Sequence, residues 1–342
     1  MSAADPLTRE AIAAVDPAGM LDDVLAQPGQ LGDALWRADS AMFRSGSGGR
    51  LVVAGMGGSA IGGDLAAAIQ DGYLAHPIET VRGYDLGPGR AAGTFVLAAS
   101  YSGETEETLA CVGHAVEAGL GIGAVTTGGA LAAAAREHGA PVMGVPSGMQ
   151  PRAAVVYMTV AALYAAAACG AAPALDPGVV EDAAGLLGDL ARDWGPDAPP
   201  DSEAKRLASA LHGTVPVVIG AGRTAAAARR WKTQVNENAS APAFWSELPE
   251  ADHNEICGYG APLSAVFLDD DGLDPRLRRR IDLTAGLLDI PVERVEARGE
   301  TPFARVMSLV LLGDLVSVYL AVLAGEDPTP VPSIDRLKEA LG

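Results

Sequence analysis

One feature restricts the fold of this chain more than any other. A short apolar strand runs straight into Gly-x-Gly and an alanine-rich helix, and it does so twice. LVVAGMGGSAIGGDLAAA begins at Leu51 and VVIGAGRTAAAARR at Val217. Glycine supplies the positive φ and close backbone approach that such a turn needs. Strand followed by helix, repeated along the chain, is the pattern of a parallel sheet. Two copies in the two halves predict a duplication, each half one α/β unit. The length of 342 residues agrees, since domains run to roughly 150 residues.

The remaining pattern fills in both units. Strands are predicted at Leu51–Ala54, Ile78–Val81, Thr94–Ala98, Ile122–Thr126 and Pro141–Val145, with helices starting near Ser59, Glu104 and Gly129 and after Arg152. In the second half, strands are predicted at Val215–Ile219, Leu263–Leu268 and Pro291–Val295. The helices there fall near Thr224–Ala239, Pro275–Leu288 and Thr301–Ala324. DWGPDAPPDS, from Asp193 to Ser202, reads as a linker on its prolines and aspartates. The division is then a helical lead-in over 1–45, a first α/β domain over 46–192, a linker over 193–202, and a second domain over 203–342 with a C-terminal tail.

Lys plus Arg total 24 against 43 Asp plus Glu, a formal charge of −19. Such a chain lacks the cationic footprint that nucleic acid or anionic lipid requires. An anionic small molecule has to be held by local donors. Cys111, Cys169 and Cys257 have no paired spacing, so neither a disulfide framework nor a zinc site is predicted and a reducing cytoplasm fits. The start lacks the basic and apolar regions of a signal peptide. Two apolar runs, Ala153–Cys169 and Phe303–Ala324, read as helices buried in protein rather than as membrane spans: the first is short and alanine-rich, the second carries Arg305 and Asp314.

Four constellations carry possible chemistry. In Gly55-Met56-Gly57-Gly58-Ser59-Ala60 the helix start, with Gly57 and Gly58, offers N–H groups to an anion. The same run satisfies a dinucleotide fingerprint with Glu79 downstream, so an NAD-dependent oxidoreductase is one reading. Ser100-Tyr101-Ser102-Gly103-Glu104-Thr105 sets three hydroxyls, of Ser100, Ser102 and Thr105, at a second helix start, where they and the amides can form a phosphate nest without lysine. One N-cap needs one hydroxyl, so three argue for a ligand. Arg152, in Gln150-Pro151-Arg152, enters an apolar helix at the end the macrodipole makes unfavourable for a cation, so a partner is expected; a structural ion pair is the plain alternative. Finally, Lys232–Ala239 and Glu250–Glu255 concentrate polar groups, with Glu237 and His253 suited to proton transfer. A solvated helix face and a surface histidine are the plain alternatives for that pair. No spacing predicts a metal.

GMGGSAIGGDL, SYSGETEET, QPRAA, KTQVNENASAPAFWSELPEADHNEI and VPSIDRLK, in this order, resemble the bifunctional phosphoglucose/phosphomannose isomerases, which are built from two sugar isomerase (SIS) domains. The resemblance runs from about residue 20 to the C-terminus; the first two loops are common to SIS domains, whereas the NENA…HNE pair is particular to this family. It implies that Ser59, Ser100, Ser102 and Thr105 hold a 6-phosphate and that Arg152 steadies an enediolate. It implies that Glu237 moves a proton between C1 and C2 and that Lys338 reaches the ring-oxygen side. It further implies that His253 assists ring opening from the neighbouring subunit of a homodimer. One family threonine before the lysine is not matched: Val331 stands nearest and Thr329 two positions earlier.

The expected function is therefore interconversion of glucose 6-phosphate, and of mannose 6-phosphate, with fructose 6-phosphate, with no cofactor. Such an isomerisation needs a phosphate anchor, one carboxylate base and a cation facing the developing oxyanion. The rival readings are a non-catalytic SIS-type sugar-phosphate-binding protein and the nicotinamide enzyme.

Overall fold

The computed structural model describes residues 6–43, 49–90 and 92–341. The described part of the lead-in is helical, as α1 (Arg9–Val15), α2 (Met20–Leu25) and α3 (Gln27–Ala41). Strands and helices then alternate through β1 (Leu51–Gly55), α4 (Gly57–Ile69), β2 (Ile78–Val81), β3 (Phe95–Ala99), α5 (Glu106–Glu117), β4 (Gly121–Thr126), α6 (Gly129–Glu137) and β5 (Val142–Gly144). A 3-10 turn at Pro151–Ala154 leads into α7 (Val155–Cys169), followed by α8 (Pro177–Trp194) and α9 (Glu203–Leu211). The alternation resumes with β6 (Val215–Ala221), α10 (Thr224–Asn238), β7 (Phe244–Leu248), β8 (Leu263–Asp269), α11 (Pro275–Leu287) and β9 (Val292–Glu296). Helices α12 (Pro302–Ala324) and α13 (Pro332–Leu341) complete it.

The strands form two wholly parallel sheets, ordered β2-β1-β3-β4-β5 and β7-β6-β8-β9. The α/β class, with two helix-flanked parallel sheets, is as expected. Every residue of β1 and β3 is buried, as befits strands covered by helices on both faces. The two long apolar helical runs are also covered by protein: 83% of the Pro151–Cys169 window and 94% of the Pro302–Ala324 window are buried.

The chain divides into two compact units. The five-stranded unit holds Ala26–Gly188 and Arg298–Met307; the four-stranded unit holds the residues up to Leu25, Asp189–Ala297 and those from Ser308 on. The boundaries thus fall inside α8 and α12, and α1 and α2 belong with the four-stranded unit, where the sequence suggested contiguous halves. The proline-rich stretch at 193–202 is packed rather than extended: Trp194 and Ala198 are buried. Lys205, itself buried, donates through Nζ to the carbonyls of Pro196 and Ala198 at 3.0 and 2.8 Å. An ammonium with three donors satisfies carbonyls that prolines leave outside any regular ladder.

In each sheet the first strand has neighbours on both sides, β1 between β2 and β3, and β6 between β7 and β8. The chain reverses direction across the sheet at these points, which are where open parallel sheets take ligands at their carboxyl ends. Strand β7 has no counterpart among the predicted strands. It is a sheet edge with alternating burial, framed by Pro242 and Pro249, so it lacks the continuous apolar run of a central strand.

Candidate active site

The Gly57 and Ser100 loops meet because β1 and β3 are neighbours, with Gly55 in register with Ala99. A Cβ on Gly55 would lie 2.6 Å from the Ala99 carbonyl oxygen, so only glycine fits where the two strands end. Gly57 takes φ +47° and starts α4. Met56, the N-cap, offers no side-chain cap, leaving the first-turn amides of Gly57 and Gly58 directed outward.

Ser59 is buried, and its Oγ accepts a hydrogen bond from the Tyr101 backbone N–H at 3.1 Å. It therefore ties the first loop to the second. Ser100 Oγ accepts from Gly103 N–H at 3.0 Å and shares a 2.8 Å hydrogen bond with Thr105 Oγ1. Ser102 Oγ accepts from Glu104 N–H at 3.2 Å. Thr105 occupies the N-cap position of α5 but makes no side-chain cap bond, so its hydroxyl is directed at Ser100 instead. Plain N-capping does not account for this loop. Ser100 and Thr105 are paired, while Ser59 and Ser102 are each held by a backbone amide, so hydroxyls gather at the starts of two helices as a neutral cradle suited to an anion.

The loop is braced from behind. Gly103 has φ +75°, and a Cβ there would come within 2.0 Å of the Gly128 carbonyl oxygen. Thr127 Oγ1 donates to the Tyr101 carbonyl at 2.9 Å, and Glu104 Oε1 accepts from Ala130 N–H at 2.9 Å, at the start of α6. Tyr101 is the residue sequence reasoning missed. Its hydroxyl donates to the Pro146 carbonyl and accepts from Met149 N–H, both at 3.1 Å, tying the cradle to the segment that leads to Arg152. A single aromatic among small residues was the available signal.

Arg152 is buried, with its guanidinium 3.4 Å from Gln150 Oε1, in the 3-10 turn before α7. It reaches the cradle because Gly58 has no side chain: a Cβ there would lie 2.8 Å from Arg152 Cα. One turn on, a Cβ on Gly62 would lie 2.5 Å from the Met158 backbone. Glycines at i and i+4 let α4 and α7 touch along their backbones. Gly57, Gly58, Ser59, Ser100, Ser102, Thr105 and Arg152 are thus brought together within the five-stranded unit.

Glu237, His253 and Lys338 lie on three elements of the four-stranded unit. Glu237 is half-buried in the last turn of α10. His253 is exposed at the end of the 3-10 turn Glu250–His253, but the backbone around it is held. Asp252 binds Arg280 Nη1 at 2.8 Å and Thr284 Oγ1 at 2.6 Å, both on α11. Glu255 accepts from Ser246 Oγ and, at 3.0 Å, from Tyr259 OH. Burial pushes the Tyr259 phenol up to about 12, so it stays protonated as a donor. Lys338 is exposed on α13, where no residue is buried.

Known proteins share both the sequence and the fold. Residues 200–341 match the family model described as the bacterial phospho-glucose isomerase C-terminal SIS domain. The bifunctional phosphoglucose/phosphomannose isomerase of Caldicellulosiruptor bescii is 38% identical over 303 residues, covering 85% of this chain and 89% of that protein. This chain belongs to the bifunctional phosphoglucose/phosphomannose isomerase family. The family's protein from Thermoplasma acidophilum is 32% identical, covering 87% of this chain and 92% of its own length. Among solved structures, a hypothetical protein from Thermus thermophilus shares the fold, with TM-score 0.76 at 16% identity, covering 98% of this chain and 94% of that one.

Family membership and geometry together displace the dinucleotide reading. Glu79 pairs with Val52, at the far end of β1 from the glycine loop, and is bound by Arg90 at 2.9 Å, which holds its carboxyl below the usual range. The order β2-β1-β3-β4-β5 is flavodoxin-like and differs from that of dinucleotide-binding folds. The second sheet keeps the turn but not the cradle. Thr224 stands where Ser59 does in the first repeat, and its Oγ1 donates to the Leu268 carbonyl at 2.9 Å across β6 and β8. Strand β8 ends on Asp269, followed by Asp270 and Asp271, where the first repeat has serines; Asp269 is paired with Arg278 and Arg294 at 3.1 and 2.8 Å, so its carboxylate is committed within the protein. The second copy therefore has a bridging hydroxyl of its own, but no counterpart of the Ser100 and Ser102 hydroxyls. Among the described residues, no group of three or more His, Cys, Asp or Glu is placed to hold a metal ion.

Proposed function

We propose that this protein is an aldose–ketose isomerase that interconverts glucose 6-phosphate with fructose 6-phosphate, accepts mannose 6-phosphate as well, and uses no cofactor. The observation that carries the reading is the hydroxyl cradle with Arg152 in backbone contact with it, in a chain of this family. Gly57, Gly58, Ser59, Ser100, Ser102 and Thr105 hold the phosphate. Its binding energy orients the open-chain sugar, so that a distant group lowers the barrier at C1 and C2.

Glu237 is the base. Its carboxylate takes the proton from C2 of the aldose; the C2–H electron pair becomes the C1–C2 double bond, and the carbonyl pair moves onto O1. The Arg152 guanidinium stabilises that oxygen's charge, as fixed cations do for enediolates. The proton then returns from Glu237 to C1 while the O2 proton is transferred to O1, leaving the ketone at C2. His253 assists ring opening and Lys338 faces the ring-oxygen side. Exposure of His253 on its own chain supports a homodimer in which it serves the partner's sugar. The strongly acidic surface supports a cytoplasmic protein whose partners are small molecules rather than nucleic acid or membrane.

The decisive assay supplies fructose 6-phosphate to the purified protein and follows both aldose products. Formation of glucose 6-phosphate is expected. Binding without turnover would make the protein a sugar-phosphate sensor instead. Glu237→Gln is expected to lower kcat at least ~10³-fold, the scale of losing a positioned base, while inorganic phosphate inhibits as before. Substantial turnover in that variant removes Glu237 from the reaction.

A further inference from the structure

Helix α12 is apolar almost throughout, yet Asp314 and Ser317 sit at its centre, fully buried. Both answer to α10. Arg230, buried as deeply, donates to the two Asp314 carboxylate oxygens at 2.9 and 2.6 Å. Asn238 Nδ2 donates to Ser317 Oγ at 2.8 Å, and Ser317 Oγ donates to the Asp314 backbone carbonyl at 2.7 Å. The chain of contacts leaves α10 at Arg230, crosses to α12, and returns at Asn238, two turns further on. Between these ends Trp231 Nε1 donates to the Leu309 carbonyl at 2.7 Å. A Cβ on Gly313 would lie only 2.2 Å from that nitrogen, so the helices are in close contact.

Packed apolar side chains would hold two helices together as well as a buried ion pair does, often better. What polar partners add is register, because only one alignment satisfies every donor and acceptor. A slip of one helical turn would move α10 by about 5.4 Å, and even ~1 Å is enough to harm a reacting group. Glu237 adjoins Asn238 and lies seven residues after Arg230, on the same side of the helix.

We propose that Arg230, Asp314, Ser317 and Asn238 form a buried clasp that fixes the register of α10 on α12 and so positions the Glu237 carboxylate. They are positioning residues, not catalytic ones. The assignment rests on Glu237 being the base of the proposed isomerisation.

The test is a double-mutant cycle in the full-length protein, with Ser317→Ala, Asn238→Ala and the pair, assayed on fructose 6-phosphate and with inorganic phosphate as competitive inhibitor. Each single variant is expected to lose about tenfold or more in kcat, with KM and the phosphate inhibition constant within about twofold of the parent. The double variant should lose no more than the worse single, because either change opens the same clasp. A folded single variant with unchanged kcat overturns the proposal, and so does a double variant whose loss is the product of the two. If Ser317→Ala does not fold, the split between kcat and KM in Asn238→Ala decides alone. Glu237→Gln serves as the control. Turnover there refutes the base itself, whereas an inactive Glu237→Gln beside normal clasp variants refutes only the clasp.

Discussion

At the residue scale, the hydroxyls proposed to hold a dianion in this acidic protein face a packing problem, since each must also be satisfied without it. The Ser100 loop answers it by pairing Ser100 with Thr105 and seating both Ser100 and Ser102 on backbone N–H groups. A hydroxyl that accepts from the backbone still has a proton to donate to phosphate. Ser100→Ala removes one donor to the ligand and leaves the Gly103 N–H without its acceptor. KM for fructose 6-phosphate is expected to rise about tenfold, equivalent to ~1.4 kcal/mol, with kcat changed much less. Steady-state kinetics at saturating and limiting substrate separate the two; a fall in kcat alone would show that Ser100 acts on the chemistry rather than on the anchor.

At the scale of elements, α4 has two tasks that its glycines divide. Gly57 shapes the backbone at the end proposed to take the anion, while Gly58 and Gly62 remove side chains where the Arg152 turn and α7 press against the helix. The sequence places Gly58 in the anion-binding turn, yet Gly58, like Gly62 in the helix beyond it, is also a point of close packing. Gly62→Ala puts a methyl 2.5 Å from the Met158 backbone, where no flexible group can yield. Overpacking of this kind costs about 1–3 kcal/mol, so thermal unfolding should shift down. Because α7 must move, Arg152 moves with it, and kcat is expected to fall more than phosphate affinity. An unchanged melting temperature would show that α4 and α7 part without strain.

At the scale of the whole molecule, stability should depend on pH with two opposite slopes. Asp274, the N-cap of α11, is held at about 2 by hydrogen bonds from the Arg276 side chain and backbone. The Glu79 carboxyl is lowered by its hydrogen bond from Arg90. Folded values below unfolded ones stabilise above about pH 4 and lose that contribution as pH falls through the folded value. Glu296 is raised by burial and then by nearby Asp269, so protonation is easier in the folded state and falling pH stabilises there. As pH falls into the carboxylate range Glu296 therefore adds stability while Asp274 and Glu79 lose theirs, and the melting temperature should drop once pH is below about 4. A melting temperature that stays level or rises below about pH 4 would contradict these signs.

A second whole-molecule prediction concerns assembly. If each sugar takes Glu237 from one chain and His253 from the other, two dead variants can complement each other. Mixing Glu237→Gln with His253→Ala at equal amounts, with subunit exchange, should restore about one quarter of parental activity, since half of the dimers are mixed and each has one intact pair. No recovery would place both residues at the same chain's substrate.

Strand–glycine–helix repeats, read with the alternation around them, were enough to determine two parallel sheets and to mark the serine loops, because backbone geometry and hydrogen-bonding needs are local and show in residue type. Residues such as Ser59 and Ser100 were legible for that reason. What stayed hidden was set by neighbours far along the chain. Edge strand β7 lacked an apolar run, α1 and α2 joined the four-stranded unit, and the proline-rich stretch packed on Lys205. Gly58 and Gly62 proved to be contact points for α7, and Asp314 and Ser317 found their partners about eighty residues away in α10. Local chemistry fixes which conformations and donors are available; only the folded packing decides which distant groups satisfy them.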